Sequence, residues 1–132
     1  MNNRIETIDK VKASKLKKLY LSADNTYCVE IEGYECTVLL DYLSEVSKKF
    51  AFPTEAKILD VYDDWLTDLG WLDEDNIVVF INDYEKFLED DLPSKEKVMN
   101  LFKYSVLPWW EIDVCNCVVD GKAKSFIVYI VN

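Results

Sequence analysis

Four aspartates at helical spacing are the residues of this chain best placed to do chemistry. Asp60 and Asp64 are four residues apart in the stretch LDVYDDWLTDLG, and Asp63 and Asp68 lie beside them. Paired carboxylates can act as acid and base in glycoside hydrolysis, can bind Mg²⁺ for phosphoryl transfer, or can contact a cationic protein surface. The residue types in the rest of the chain decide which of these uses is favoured.

The residues that are missing weaken the enzymatic readings. The chain has no histidine, which excludes Ser-His-Asp and Cys-His nucleophiles and every zinc site that needs a histidine ligand. It also has only three glycines, too few for a glycine-rich phosphate loop. A hydrolase that uses Asp60 with Asp64, or Asp90 with Asp91, is therefore a minor alternative. We expect no catalytic residues, no metal and no cofactor.

The four cysteines, Cys28, Cys36, Cys115 and Cys117, are predicted to be reduced and mostly packed thiols. Cys115 and Cys117 are separated by one residue, whereas zinc ribbons usually pair their ligands as C-x2-C. The first residues lack the charged and apolar regions of a secretory signal, which favours a reducing compartment. No apolar run approaches the roughly 20 residues that span a bilayer. We therefore expect a cytoplasmic protein that does not enter a membrane.

The charge is strongly acidic and unevenly distributed. The 132 residues carry 25 Asp or Glu against 15 Lys or Arg, a formal net charge of −10. The first 20 residues are basic, whereas residues 55–91 hold thirteen acids and two lysines. Such a balance argues against nucleic acid, whose phosphates are held by Lys and Arg, and favours a cationic partner.

Hydrophobic spacing predicts the two helices that precede the centre of the chain. A helix over residues 36–50, stopped near Pro53, follows from apolar residues three and four apart: Leu39, Tyr42, Leu43, Val46 and Phe50. A second helix over residues 58–69 buries one apolar face and leaves Asp60 and Asp64 on another. Like charges at this spacing destabilise a helix by roughly a few tenths of a kcal/mol. Binding of a partner is one way in which this cost could be offset.

The remaining segments predict a sheet. Residues 26–32 alternate as a strand, paired with 15–21, and the apolar run 77–81 is predicted to be the sheet centre. A short helix is predicted over 83–90, and a longer one begins at a Ser94 cap and ends at Pro108. The turn Asp120-Gly121 predicts a terminal hairpin between residues 110–119 and 126–131. The fold class is α/β, a small, largely parallel sheet covered by helices, with an added C-terminal antiparallel hairpin.

These stretches resemble the barstar-type ribonuclease inhibitors. The strand and helix that end at Pro53 look like the family's opening. Residues 59–72 are similar to its recognition helix, whose pattern places one Asp after an apolar residue and a second Asp four positions later. The strand at 77–81 and the final strand follow in the family's order. Residues 54–58 lack the aromatic, Gly and Asn of the family's loop, so the resemblance implies a different target surface.

The resemblance implies a function and a set of contacts. Family members are cytosolic inhibitors or immunity proteins that plug the active site of a ribonuclease, which implies a monomer when free and a cognate ribonuclease or other basic toxin as partner. By position, Asp60 and Asp64 match the family's two helix aspartates and Glu96 matches a further acidic contact, while Asp63 and Asp68 are supplementary candidates. Residues 26–132 then form one barstar-like domain, and residues 1–25 a basic extension. An immunity or regulatory role toward a basic partner that is not a ribonuclease stays open.

Overall fold

The computed structural model describes residues 2–132 and contains one sheet of four strands: β1 (Arg4–Ile8), β2 (Thr26–Glu32), β3 (Asn76–Asn82) and β4 (Ser125–Val131). All neighbouring strands are parallel, and their order in the sheet is β1-β4-β3-β2. The α-helices are α1 (Lys10–Leu21), α2 (Leu39–Lys49), α3 (Leu59–Leu66), α4 (Leu92–Leu101) and α5 (Val114–Cys117). Two π-helical turns, Phe102–Val106 and Trp109–Asp113, join α4 to α5.

The sheet buries apolar side chains on both faces, as parallel sheets do. On one face, Ile77, Val79 and Ile81 pack in the main core with buried residues of α2, α3 and α4. On the other face, Phe80 and Tyr129 pack with residues that include Ala13 of α1. The apolar run of β3 is therefore the buried interior of the sheet, and the prediction of a largely parallel α/β fold is confirmed.

The predicted antiparallel hairpin at the C terminus is wrong. Residues 109–117 are helical, and β4 pairs in parallel with both β1 and β3. Helical spacing explains this result, because Val106, Trp110 and Val114 are four residues apart and all are buried. Pro108 does not end the helix where predicted, since it lies between the two π-helical turns, where the regular hydrogen-bond ladder is already interrupted.

The predicted strand at residues 15–21 is also wrong, because these residues lie in α1. The Asp9 side chain caps this helix by accepting a 2.8 Å hydrogen bond from the Lys12 N–H. The first strand lies earlier, at β1, and β2 pairs with β3 instead of forming a hairpin. The boundary at residue 26 stays a prediction, and Met1 of the predicted extension lies outside the described residues.

Two smaller predictions also need correction. Residues 84–90 form successive turns and no helix, with Leu88 in the left-handed region at φ 53°. The cap of α4 is Asp91, not Ser94, and its carboxylate accepts a hydrogen bond from the Ser94 N–H at 3.3 Å.

A polar network joins α1 to the carboxyl ends of β2 and β3. The Lys17 ammonium lies 2.9 Å from the Glu30 carboxylate and donates a 2.9 Å hydrogen bond to Asn82 Oδ1. The Asn82 amide in turn donates to both Glu30 and Glu32. Burial alone raises the pKa of the Glu30 carboxyl, but the hydrogen bonds from Lys17 and Asn82 outweigh burial and hold this pKa below its ordinary value.

Lys17→Met is expected to destabilise the fold in a pH-dependent way. A carboxyl whose pKa is lower in the folded chain stabilises it above the unfolded pKa, and this contribution disappears as the pH falls through the folded pKa. The difference in free energy of unfolding between wild type and variant is therefore largest above about pH 5, where an unfolded glutamate is ionised, and shrinks as the pH falls below the ordinary glutamate pKa of about 4.3 and through the lower folded pKa. Urea unfolding across this range measures it, with exposed Lys18→Met as the control. A difference that does not vary with pH would contradict the role given to Glu30.

Candidate partner-binding site

The helix that carries the predicted site, α3, is fixed to the core by its inner face. Tyr62 and Leu66 are fully buried, and the hydroxyl groups of Tyr62 and Tyr42 hydrogen-bond at 2.6 Å. Burial raises the pKa of both phenols, so they stay protonated at neutral pH. The outer face of α3 is thereby held in one orientation relative to α2.

Tyr62→Phe is expected to lower the free energy of unfolding by about 1–3 kcal/mol, because it leaves the buried Tyr42 hydroxyl without its partner. Replacing both tyrosines by phenylalanine removes both polar groups and should cost less than the sum of the two single changes. Urea unfolding of the four proteins measures this coupling. If the losses in free energy of unfolding of the two single variants add up to that of the double variant, the two hydroxyl groups do not stabilise each other.

Asp60 and Asp64 occupy the outer face of α3 with their carboxylates unengaged. Both residues are exposed, and within residues 2–132 neither carboxylate has a hydrogen bond or an ion pair. Asp60 lies in the first turn, where the helix dipole stabilises negative charge, but Asp64 adds a like charge one turn on. Within the described chain, both carboxylates are therefore left without a hydrogen-bond or ion-pair partner.

Asp63 and Asp68 make contacts within the chain. Ser105 Oγ donates a 2.7 Å hydrogen bond to Asp63 Oδ1, which joins α3 to the first π-helical turn. The Gly70 N–H donates to Asp68 Oδ1 at 3.0 Å, in the turn that follows α3. The structure thus separates the four aspartates into an outer pair, Asp60 and Asp64, and a pair that stabilises local structure.

An open groove of about 420 Å³ lies beside Asp60, between α3 and the helical segment that begins with α4. Its lining comprises Leu59, Asp60, Lys97, Asn100, Leu101, Tyr104 and Ser105. Glu96 is exposed on α4 but is not part of this lining, so the structure does not place it in the groove with Asp60. Sequence reasoning missed Lys97 and Tyr104, although residues 97, 100, 101 and 104 have the spacing of one helix face.

The cysteines and acids do not form a metal site in the part of the chain that the structure describes. All four cysteines are free, but only Cys36 is buried and Cys28 half-buried, whereas Cys115 and Cys117 are exposed, so the prediction of packed thiols is wrong for this pair. No group of three or more His, Cys, Asp or Glu among residues 2–132 is placed to hold a metal ion. Burial is the main cause that raises the pKa of Cys28 to about 11 and that of Cys36 to about 12, so both are thiols at neutral pH. None of the described helices has the length and apolar character that crossing a membrane requires.

The candidate site is thus a firmly anchored helix whose outer face presents two free carboxylates beside an open groove. A family model described as Barstar (barnase inhibitor) matches residues 26–129, and the chain belongs to this family. No curated protein and no solved structure matches the chain. The family suggests a ribonuclease inhibitor or an immunity-type protein, and its members are inhibitors that bind ribonucleases, not enzymes. Strand β1 and helix α1 lie outside the matched residues.

Proposed function

We propose that the protein is a cytoplasmic immunity protein, or antitoxin, that blocks the basic active site of a cognate ribonuclease with the outer face of α3. One observation carries the proposal: in a chain of the barnase-inhibitor family, Asp60 and Asp64 are exposed and have no partner within residues 2–132. These two carboxylates are the proposed primary contacts. Glu96 is retained as a peripheral acidic contact on α4.

The chemistry of a ribonuclease site explains why an acidic helix can block it. A ribonuclease holds phosphates with cationic side chains, and carboxylates at fixed positions can occupy the same sites in place of RNA. The backbone of α3 and the buried Tyr62 fix these positions before binding, which lowers the ordering cost. The thirteen acids of residues 55–91 attract a cationic partner from a distance and increase the association rate at low salt.

The contacts of Asp63 and Asp68 give these residues a supporting role in the proposal. Asp63 holds the helical segment after α4 against α3 through Ser105, so it sets the width of the groove. Asp68 shapes the turn after α3. Replacing either residue should therefore act on binding through the position of its neighbours.

Affinity capture followed by a ribonuclease assay tests the proposal. The baits are wild type and an Asp60→Ala, Asp64→Ala variant, presented to cytosolic and secreted fractions of the source organism. The proposal expects a basic ribonuclease that wild type retains and inhibits and that the variant does not retain. A captured basic protein without nuclease activity would instead support an immunity or regulatory role toward another class of partner. Equal capture by both baits would place the interface away from α3.

A further inference from the structure

The groove beside Asp60 contains a cation that a uniformly basic partner would not require. Lys97 is exposed on α4, and no acid among residues 2–132 lies within ion-pair distance of it, Asp60 included. Lys97 and Asp60 nevertheless line the same groove. A lysine at this position repels a cationic surface unless that surface offers a carboxylate opposite to it.

The same groove carries an unusually exposed aromatic side chain. Tyr104 is 69 % exposed, whereas Tyr42, Tyr62 and Phe102 nearby are fully buried. Leu59 and Leu101 supply apolar surface beside Tyr104, and Asn100 supplies an amide. An exposed tyrosine next to apolar and charged groups is typical of an interface anchor, because its ring buries much area at a small cost in side-chain entropy.

This reasoning rests on the proposed function and specifies its partner further. We propose that Lys97 binds a carboxylate on the ribonuclease, beside the cationic groups that Asp60 and Asp64 bind, and that the ring of Tyr104 packs against the same part of the enzyme. The surface recognised by the groove is therefore of mixed charge, with at least one acidic side chain among the basic ones. Lys97 and Tyr104 determine which ribonuclease is accepted.

Neutralising Lys97 distinguishes a lysine that binds a carboxylate of the partner from one that only weakens the negative field of α3. If Lys97 only weakens the negative field of α3, Lys97→Met makes the groove more acidic and improves inhibition of a basic enzyme. If Lys97 binds a carboxylate, the same change leaves that carboxylate buried and unpaired, and inhibition weakens. The two readings differ in the sign of the effect.

The probe is the ribonuclease retained by wild type in the capture experiment, purified and assayed for inhibition at two salt concentrations. We expect Lys97→Met and Tyr104→Ala each to weaken inhibition by about tenfold or more, and Lys97→Arg to retain most of it. Lys18→Met, on α1 of the opposite sheet face, makes the same change in charge and should not weaken inhibition. Thermal unfolding of each variant should match wild type, because these side chains are exposed.

The outcomes distinguish the inference from the function on which it rests. Inhibition that is equal or tighter in Lys97→Met, with wild type still inhibitory, overturns the inference and leaves the proposed function intact. Unchanged inhibition by Tyr104→Ala overturns the role of the ring. If wild type inhibits no ribonuclease that it retains, the proposed function fails, and the inference fails with it.

Discussion

Asp60→Ala combined with Asp64→Ala is expected to weaken binding of the cognate ribonuclease by about a thousandfold or more. Carboxylates at the centre of a charged interface are each worth about 2 kcal/mol or more when truncated, and about 1.4 kcal/mol corresponds to a factor of ten in affinity. The free protein should change in stability by about 1 kcal/mol or less, because the loss of Asp60's favourable interaction with the helix dipole and the removal of a like-charge pair oppose each other, and neither carboxylate has a partner within residues 2–132. Titration with the ribonuclease measures the first effect, and urea unfolding measures the second.

A matched variant distinguishes specific contacts from the general acidity of the chain. Glu85→Ala with Glu89→Ala also removes two exposed acids, from the turns that follow β3, and within the described chain neither side chain is paired. This control should reduce the association rate modestly at low salt and leave the dissociation rate unchanged. If the control weakens binding as much as the α3 variant, the general negative charge of the chain accounts for binding, and the assignment of the site to Asp60 and Asp64 is wrong. If the α3 variant unfolds, these residues are structural.

The elements near the site were predictable because their signals are local. In α3, Tyr62 and Leu66 are buried at the spacing of a helix, and Asp60 and Asp64 follow on the opposite side as the period requires. The apolar run of β3 does not alternate with polar residues as an amphipathic strand does, and it is shorter than a typical helix, which identifies a strand buried on both faces. In both cases the local pattern of apolar and polar residues is enough to indicate which side chains are buried in the folded protein.

The ends of the chain were not predictable in the same way, because distant contacts decide their structure. Residues 110–119 are rich in β-branched and aromatic types, which favour strands, and Asp120-Gly121 is a turn signal. The helix forms because it buries Trp110 and Val114, with Trp110 Nε1 donating a 2.7 Å hydrogen bond to the Leu66 carbonyl. At the other end, the Asp9 cap is a local signal for α1 that the sequence analysis missed.

The composition of the site was predictable only in part, for a related reason. Exposed aspartates can be identified from a helical pattern, but the bond between Asp63 and Ser105 joins residues 42 positions apart. Their contact depends on how α3 packs against the first π-helical turn. Lys97 and Tyr104 share a helix face, yet only the packing of α4 beside α3 reveals that this face borders Asp60.

Deleting residues 2–22 is expected to abolish cooperative folding, although these residues lie outside the family match. The deletion removes the strand that pairs with β4 and the helix that covers the second face of the sheet. It exposes Val78, Phe80, Tyr129 and Val131, which are all buried in the intact protein. Full burial of each such side chain is worth roughly 1.5–3 kcal/mol, so the loss exceeds about 5 kcal/mol, the lower end of domain stability.

A point variant tests the same argument without shortening the chain. Ala13 is 1 % exposed against this face of the sheet, so Ala13→Asp buries a carboxylate without a partner and should lower the free energy of unfolding by about 3 kcal/mol or more. Exposed Lys15→Asp, on the same helix, should change it by about 0.5 kcal/mol or less. Near-ultraviolet circular dichroism and urea unfolding measure both variants and the deletion. A deleted chain that unfolds cooperatively near the wild-type midpoint would make residues 26–132 an independent domain, whereas loss of cooperative folding would show that β1 and α1 belong to the folded unit that holds α3 in place.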